Sequence, residues 1–185
     1  MKYEIKIFGK DQCIGFSKNI IGNDCIIISI NDTGHNTLLH KNSKIKDVLS
    51  LEFDDITLKE HGVKDGLKLF KKSHAIKIKE FVDKYKNDIN TIVVHCTAGI
   101  ARSGSVGCCL ARYLNGEDDY LLKTGKYIPN QRVYFVLCEV LGLECTKKIF
   151  KEKLRLRNKG NRNNLKGYGN YGIYLDDMFD IVIEK

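Results

Sequence analysis

Cys25-Ile26-Ile27-Ile28-Ser29-Ile30 restricts the fold more than any other segment. A short, β-branched and nearly uninterrupted apolar run reads as a strand buried on both faces. Such strands belong to parallel sheets covered by helices, so the rest of the chain should alternate between the two element types. It does. Tyr3–Phe8 alternates as a half-buried strand, Val48–Phe53 is a third strand and Ile92–Val94 a fourth. Between the last two, Leu67, Phe70, Ala75, Ile78, Phe81, Val82 and Tyr85 recur at helical spacing. A second helix is predicted from about Ser103 to Leu114. A third begins near Pro129, where a missing N–H costs little, and reaches about Leu141. The expected class is α/β, with a central, mostly parallel sheet flanked by helices. Residues 1–144 are expected to form the main domain and 145–185 a basic extension packed on it. Within that extension, Ile149, Phe150 and Leu154 fall on one face of a docking helix, Asn158 to Asn170 reads as a loop, and Tyr171–Leu175 with Asp180–Glu184 as an added strand pair.

Charge and cysteine usage narrow the setting. The chain has 185 residues, 43% hydrophobic and 29% charged, the balance of a globular protein with a real core. No apolar run approaches the roughly 18 residues of a membrane span. Lys2, Glu4 and Lys6 interrupt the start where a signal peptide needs a greasy stretch, so the expected location is the cytoplasm. Seven cysteines without a Cys-x-x-Cys pair fit neither a disulfide framework nor a structural zinc site. Between Lys147 and Lys166, nine basic residues stand against Glu152, which accounts for the whole net charge of +8. A neutral body with a basic C-terminal stretch can steer an anionic partner, or simply present a solvated helix face.

The segment from Thr91 to Gly104, TIVVHCTAGIARSG, carries the chemistry. A buried strand ends at Val94 and a helix starts near Arg102, with a loop of small residues between them and Cys96 at its mouth. Successive backbone N–H groups of such a loop can curl into a nest, and the helix N-terminus adds about half a positive charge. Arg102 supplies a planar fork matched to two phosphate oxygens. Gly99 permits a turn or a close approach that a side chain would block. Everything here favours an oxyanion held by Thr97, Ala98, Gly99, Ile100, Ala101 and Arg102. The same surroundings favour a thiolate at Cys96.

His95, Cys96, five residues, Arg102 and Ser103 resemble the active-site signature of the cysteine-dependent protein tyrosine and dual-specificity phosphatases. The resemblance extends from about Cys25 to Leu143 and looks closest to the compact dual-specificity-like enzymes of bacteria and phages. It implies a central sheet flanked by helices, with residues 1–144 as the phosphatase domain. Cys96 is then the nucleophile of a cysteinyl-phosphate mechanism, Arg102 the phosphate clamp, and Ser103 the hydrogen-bond partner that helps the sulfur leave. His95 orders the loop. No metal and no cofactor is needed. Leu51-Glu52-Phe53-Asp54-Asp55 sits where that family carries its acid loop; the spacing after Phe53 favours Asp55 as general acid, with Asp54 the alternative or a helix cap. Val136 stands where many relatives carry a water-positioning Gln; Gln131 is close in sequence.

The chain has no Trp and one proline, so it lacks the Trp-Pro-Asp loop of tyrosine-only relatives. The resemblance therefore implies a shallow pocket for phosphotyrosine in a protein substrate, with phosphoserine and phosphothreonine open. The uncharged residues inside the signature count against inositol lipids. The alternatives are an RNA 5′-triphosphatase of the same superfamily, which no aromatic-basic RNA motif supports, and a catalytically silent phospho-binding module. His74 reads as a packing or surface residue, His35 as a turn residue, and Cys108 and Cys109 as core. Cys25 opens a strand, with a disulfide to Cys96 under oxidation as a further hypothesis.

Overall fold

A computed structural model, which describes residues 2–57 and 66–164, places the Cys25 run inside a four-stranded parallel sheet. The elements run β1 (Glu4–Phe8), α1 (Lys10–Asn19), β2 (Cys25–Asn31), β3 (Ile45–Glu52), α2 (Lys72–Tyr85), β4 (Thr91–His95), α3 (Arg102–Asn115), α4 (Asp119–Leu122), α5 (Gln131–Leu141) and α6 (Lys147–Asn164). Strand order is β1-β4-β2-β3, and all three pairings are parallel. This is the α/β class expected from the alternation of strands and helices. Every residue of β2 and of β4 is buried, which explains their largely apolar character. β3 lies at an edge and alternates between half-buried and exposed.

The pleat sorts the core into two layers. Ile26, Ile28, Ile30, Ile92 and Val94 face the larger one, packed with Ala75, Ile78 and Val82 of α2, Val106 and Leu110 of α3, and Val133 and Leu137 of α5. Cys25, Ile27 and Val93 face the smaller one, shared with Cys13 of α1 and Ile20. α1 gives no helical signal in the sequence because it buries only Cys13 and Ser17. Its place comes from the opposite sheet face, which needs a cover.

α6 runs through Asn164, so residues 158–164 are helical rather than the loop their composition suggests. The reason is tertiary: Phe150 packs its ring 5.2 Å from Tyr134 and 5.4 Å from Phe135. Lys153 Nζ donates to the buried Asp118 at 2.5 Å and to Asp119 at 2.6 Å. At Gly160 the helix backbone lies so close to Lys123 that an added Cβ would sit 2.1 Å from its carbonyl oxygen. Phe150 and Leu154 are buried, as a docking face requires. The rest of the stretch to Asn170 and the strand pair at 171–184 lie outside the described residues. Among the described residues no helix is long and apolar enough to cross a membrane.

α3 crosses close to β1 because residue 107 has no side chain. A Cβ on Gly107 would fall 2.5 Å from Ile7 Cδ1 and 2.7 Å from Cγ1. Gly107→Ala is expected to cost about 1–3 kcal/mol in denaturant unfolding by overpacking. Adding Ile7→Val removes the nearer of the two struck atoms, Cδ1, so the double variant should lose less than the two single losses together.

Candidate active site

In a parallel sheet all strands end on one edge, and a crevice beyond the carboxyl ends is the usual place for a ligand in such folds. Four chain segments meet there: Gly9 and Lys10 after β1, Asp32 and Thr33 after β2, Phe53 to Asp55 after β3, and Cys96 to Arg102 after β4. The predicted site residues Cys96 to Ser103 form the last of these, a strand–loop–helix turn with α3 beginning at Arg102.

Cys96 lies at its floor, 3% exposed, while Thr97, Ala98 and Ile100 are exposed around it. The sulfur sits 3.1 Å from Ser103 Oγ and accepts the Gly99 N–H at 3.3 Å. Gly99 has φ +74, and a Cβ there would lie 2.4 Å from the nitrogen of Gly9 and 2.5 Å from the carbonyl carbon of Phe8. Only glycine lets the loop rest on the β1 exit in this way. The Lys10 N–H donates to the Thr97 carbonyl at 3.1 Å, and the Ile128 N–H to the Ile100 carbonyl at 3.3 Å. Ser105 Oγ donates to the Ala101 carbonyl at 3.0 Å. The loop is thus held by backbone hydrogen bonds from Lys10 on one side and Ile128 on the other.

Arg102 is buried, its side chain 5% exposed. Nη1 donates to the Phe53 carbonyl at 2.9 Å and pairs with Asp32 Oδ1 at 2.7 Å; Nη2 donates to Thr97 Oγ1 at 3.2 Å. Phe53 in turn is packed by Phe70 at 4.8 Å and stacked by His74 at 5.4 Å. His74 thus packs behind the site and does not enter it.

The two acidic candidates separate clearly. Asp54 is 8% exposed and fully engaged. Its carboxylate accepts the Thr33 N–H at 3.1 Å, the Thr33 hydroxyl at 2.5 Å and the Lys68 N–H at 2.8 Å. Burial works to raise its pKa, but these hydrogen bonds and the Arg102 charge outweigh it and hold the group below the ordinary value. Asp54 is a clamp between two loops. Asp55 is exposed, and its Oδ1 accepts the Asn130 Nδ2 amide at 2.7 Å. Asn130 also caps α5 by accepting the Val133 N–H at 3.1 Å.

His95 lies beneath the loop with no exposed surface. Its Nε2 meets Ser29 Oγ at 2.8 Å, and Asn31 Nδ2 donates to the same oxygen at 3.3 Å and to Ser50 Oγ at 3.1 Å. Burial drives its pKa down to about 4, against a smaller opposing effect of its backbone hydrogen bond at Cys96. The imidazole is one member of a hydrogen-bonded chain with Ser29, Asn31 and Ser50 beneath the loop.

Sequence reasoning missed Asp32, which looks like a turn residue, and the link from Asn130 to Asp55. Ser29 inside an apolar run was the one available signal for the chain behind His95. The Cys25–Cys96 disulfide is overturned by register: Cys25 pairs with Thr91 and Ser29 with His95, so the two cysteines occupy opposite ends of the sheet. Five residues at about 3.3 Å each separate them, far beyond the roughly 4.4–6.8 Å between disulfide Cα atoms. His35 is an exposed turn residue, its N–H donating to the Asp32 carbonyl at 3.0 Å. Cys108 and Cys109 are core. Gln131 is buried at the start of α5, and its Oε1 has no hydrogen-bond partner among the described residues. No three His, Cys, Asp or Glu side chains cluster as a metal site among the described residues.

No protein-family model and no curated relative matches the chain. Among solved structures it is similar to human tyrosine phosphatase-like serine/threonine/tyrosine-interacting protein, at 13% identity over 87% of this chain and 93% of that one, with a TM-score of 0.43. It is also similar to Tk-PTP in the active form (12%, 86% and 92%, 0.38). A third is PTPMT1 in complex with PI(5)P (13%, 87% and 94%, 0.39).

His95 gives the site a measurable pH signature. Its folded pKa of about 4 lies below the ordinary value near 6.5, so between those limits the unfolded chain binds the extra proton. Stability contributed by the neutral ring is present above pH 6.5 and is lost as pH falls toward 4, up to about 3 kcal/mol. Denaturation of wild type at pH 7 and pH 4.5 should show that loss, and His95→Asn should show a much smaller one.

Proposed function

We propose that the protein is a cysteine-dependent phosphomonoesterase acting on phosphorylated proteins, phosphotyrosine first and phosphoserine or phosphothreonine where the shallow rim admits them. One observation carries the reading. A buried sulfur accepts the Gly99 N–H and lies 3.1 Å from Ser103 Oγ, at the base of an exposed loop that ends at a buried guanidinium. That is the arrangement needed to attack and hold a tetrahedral dianion.

Cys96 attacks phosphorus in line, forming the S–P bond as the P–O ester bond breaks. Arg102 and the backbone N–H groups of residues 97–102 hold the equatorial oxygens as charge spreads over them. The leaving oxygen takes its proton from Asp55, the acidic residue of the β3 loop left free of Asp54's clamp. Water then attacks phosphorus, giving its proton to Asp55; the S–P bond breaks and inorganic phosphate leaves. Ser103, 3.1 Å from the sulfur, stabilises the departing thiolate. His95 holds the loop from below. Phosphorus chemistry of this kind calls on no metal or cofactor. The exposed Lys148, Arg155 and Lys159 of α6 offer an anionic partner a landing face. The free cysteines suit a reducing, cytoplasmic setting.

Hydrolysis of p-nitrophenyl phosphate is expected in the presence of chelator, with complete loss in Cys96→Ser. Retained phosphopeptide binding without any turnover would point to a binding module instead. A far higher kcat/KM on triphosphorylated RNA than on phosphotyrosine would move the reading to RNA 5′ ends.

The two aspartates should divide by experiment. Asp55→Asn is expected to lower kcat on phenyl phosphate by about 10²–10⁴-fold and to flatten the alkaline descent of the pH–rate profile. Asp54→Asn should lower the melting temperature and leave that descent in place. The reverse outcome would exchange their roles.

A further inference from the structure

α6 carries most of the chain's excess positive charge, and one of its cations does not face water. Arg157 is 7% exposed. It shares a face of the helix with Lys153, one turn before it, and with Gly160, one turn after it, whose backbone presses on the exit of α4 at Lys123 and Gly125. Lys153 is neutralised by Asp118 and Asp119, and Arg102 by Asp32. Arg157 has no carboxylate partner among the described residues. Its Nη1 donates to Asn158 Oδ1, a neutral amide, at 3.0 Å, and its Nε is buried with no hydrogen-bond partner.

An arginine stays protonated in a protein, so titration cannot remove this charge. Burial disfavours the charged form, and no neighbouring group offsets that. A buried cation persists when something answers it: a carboxylate, a set of acceptors or a bound anion. Among the described residues one amide oxygen is all that does so here. What remains is a planar fork, Nε–H beside Nη2, shaped to meet two oxygens of one tetrahedral oxyanion. The surroundings add attraction. Exposed Lys123 and Lys126 flank the contact at Gly160, and Arg155 and Lys159 are exposed on the helix itself. Exposed lysines alone would make no site; the buried, unanswered fork does.

We propose that Arg157 is the floor of a second oxyanion site, on the side of α6 that meets the α4 exit, and that it binds inorganic phosphate or sulfate. The small exposure of the residue favours a free ion over a phosphate carried on a peptide or a lipid. The site shares no residue with the Cys96–Ser103 loop, so it stands whether or not that loop hydrolyses phosphoesters.

The test compares thermal unfolding of the full chain in inorganic phosphate and in sodium chloride at the same ionic strength, for wild type and Arg157→Met. Phosphate held by the Cys96 loop stabilises both proteins alike and cancels in the comparison. The rise in melting temperature caused by phosphate should be larger for wild type by at least about 2 °C, because an ion bound only by the folded chain stabilises it. Equal rises in the two proteins overturn the proposal. Should Arg157→Met fail to fold, Arg157→Lys replaces it, keeping the charge and losing the fork. A rise smaller than that of wild type then supports the site, and an equal one overturns it. Turnover of p-nitrophenyl phosphate is read separately: its absence would bring down the reading of the Cys96 loop and leave this site in place.

Discussion

Parallel pairing of β2 with β4, both buried along their whole length, is the constraint from which the rest follows. It aligns the exits of the strands on one edge and stacks Ser29 beside His95, so a polar pair sits directly under the Cys96 loop. An antiparallel partner would have carried half of these residues to the opposite end of the sheet. The same alignment keeps Cys25 and Cys96 apart. Burial of the strands then decides what can surround them, since each face needs a helical cover and each unpaired backbone group needs a partner.

Other loops hold the Cys96 loop in place. Gly99 rests on the backbone of Phe8 and Gly9, Arg102 is gripped by the Phe53 carbonyl, and Asp54 joins the β2 loop to residue 68. Such an interlocked set suits charge stabilisation, in which donors must already be in place when charge develops. It also concentrates buried polar groups in one region. A low-dielectric surrounding strengthens each satisfied contact and makes each lost one costly. Neutral His95 belongs to the same logic: a charged ring there would be a buried cation, disfavoured first by desolvation and further by the Lys10 charge.

α6 belongs to the body through Phe150, Leu154 and the Lys153 contacts to Asp118 and Asp119. Its tight approach at Gly160 presses on the segment from Lys123 to Gly125, which leads to Tyr127, whose side chain lies 3.2 Å from the Cβ position of Gly104 in α3. The basic helix and the candidate site are thus joined through packed atoms, with Lys148, Arg155 and Lys159 left exposed.

Residue pattern alone determined the α/β class, the four strands, the helices at α2, α3 and α5, and the thiol–arginine loop. Those features come from local periodicity and from a spacing of eight adjacent positions, so short-range sequence contains them. Weakly amphipathic α1, the helical course of residues 158–164 and the separation of Asp54 from Asp55 were settled by tertiary structure. So were the Asp32–Arg102–Thr97 ring and the Asn130–Asp55 bond. Each joins residues far apart along the chain, or depends on a surface supplied by another element. Hydrogen bonds and packing act through space, and only the folded sheet brings Asp32 and Arg102, seventy positions apart, within reach of each other.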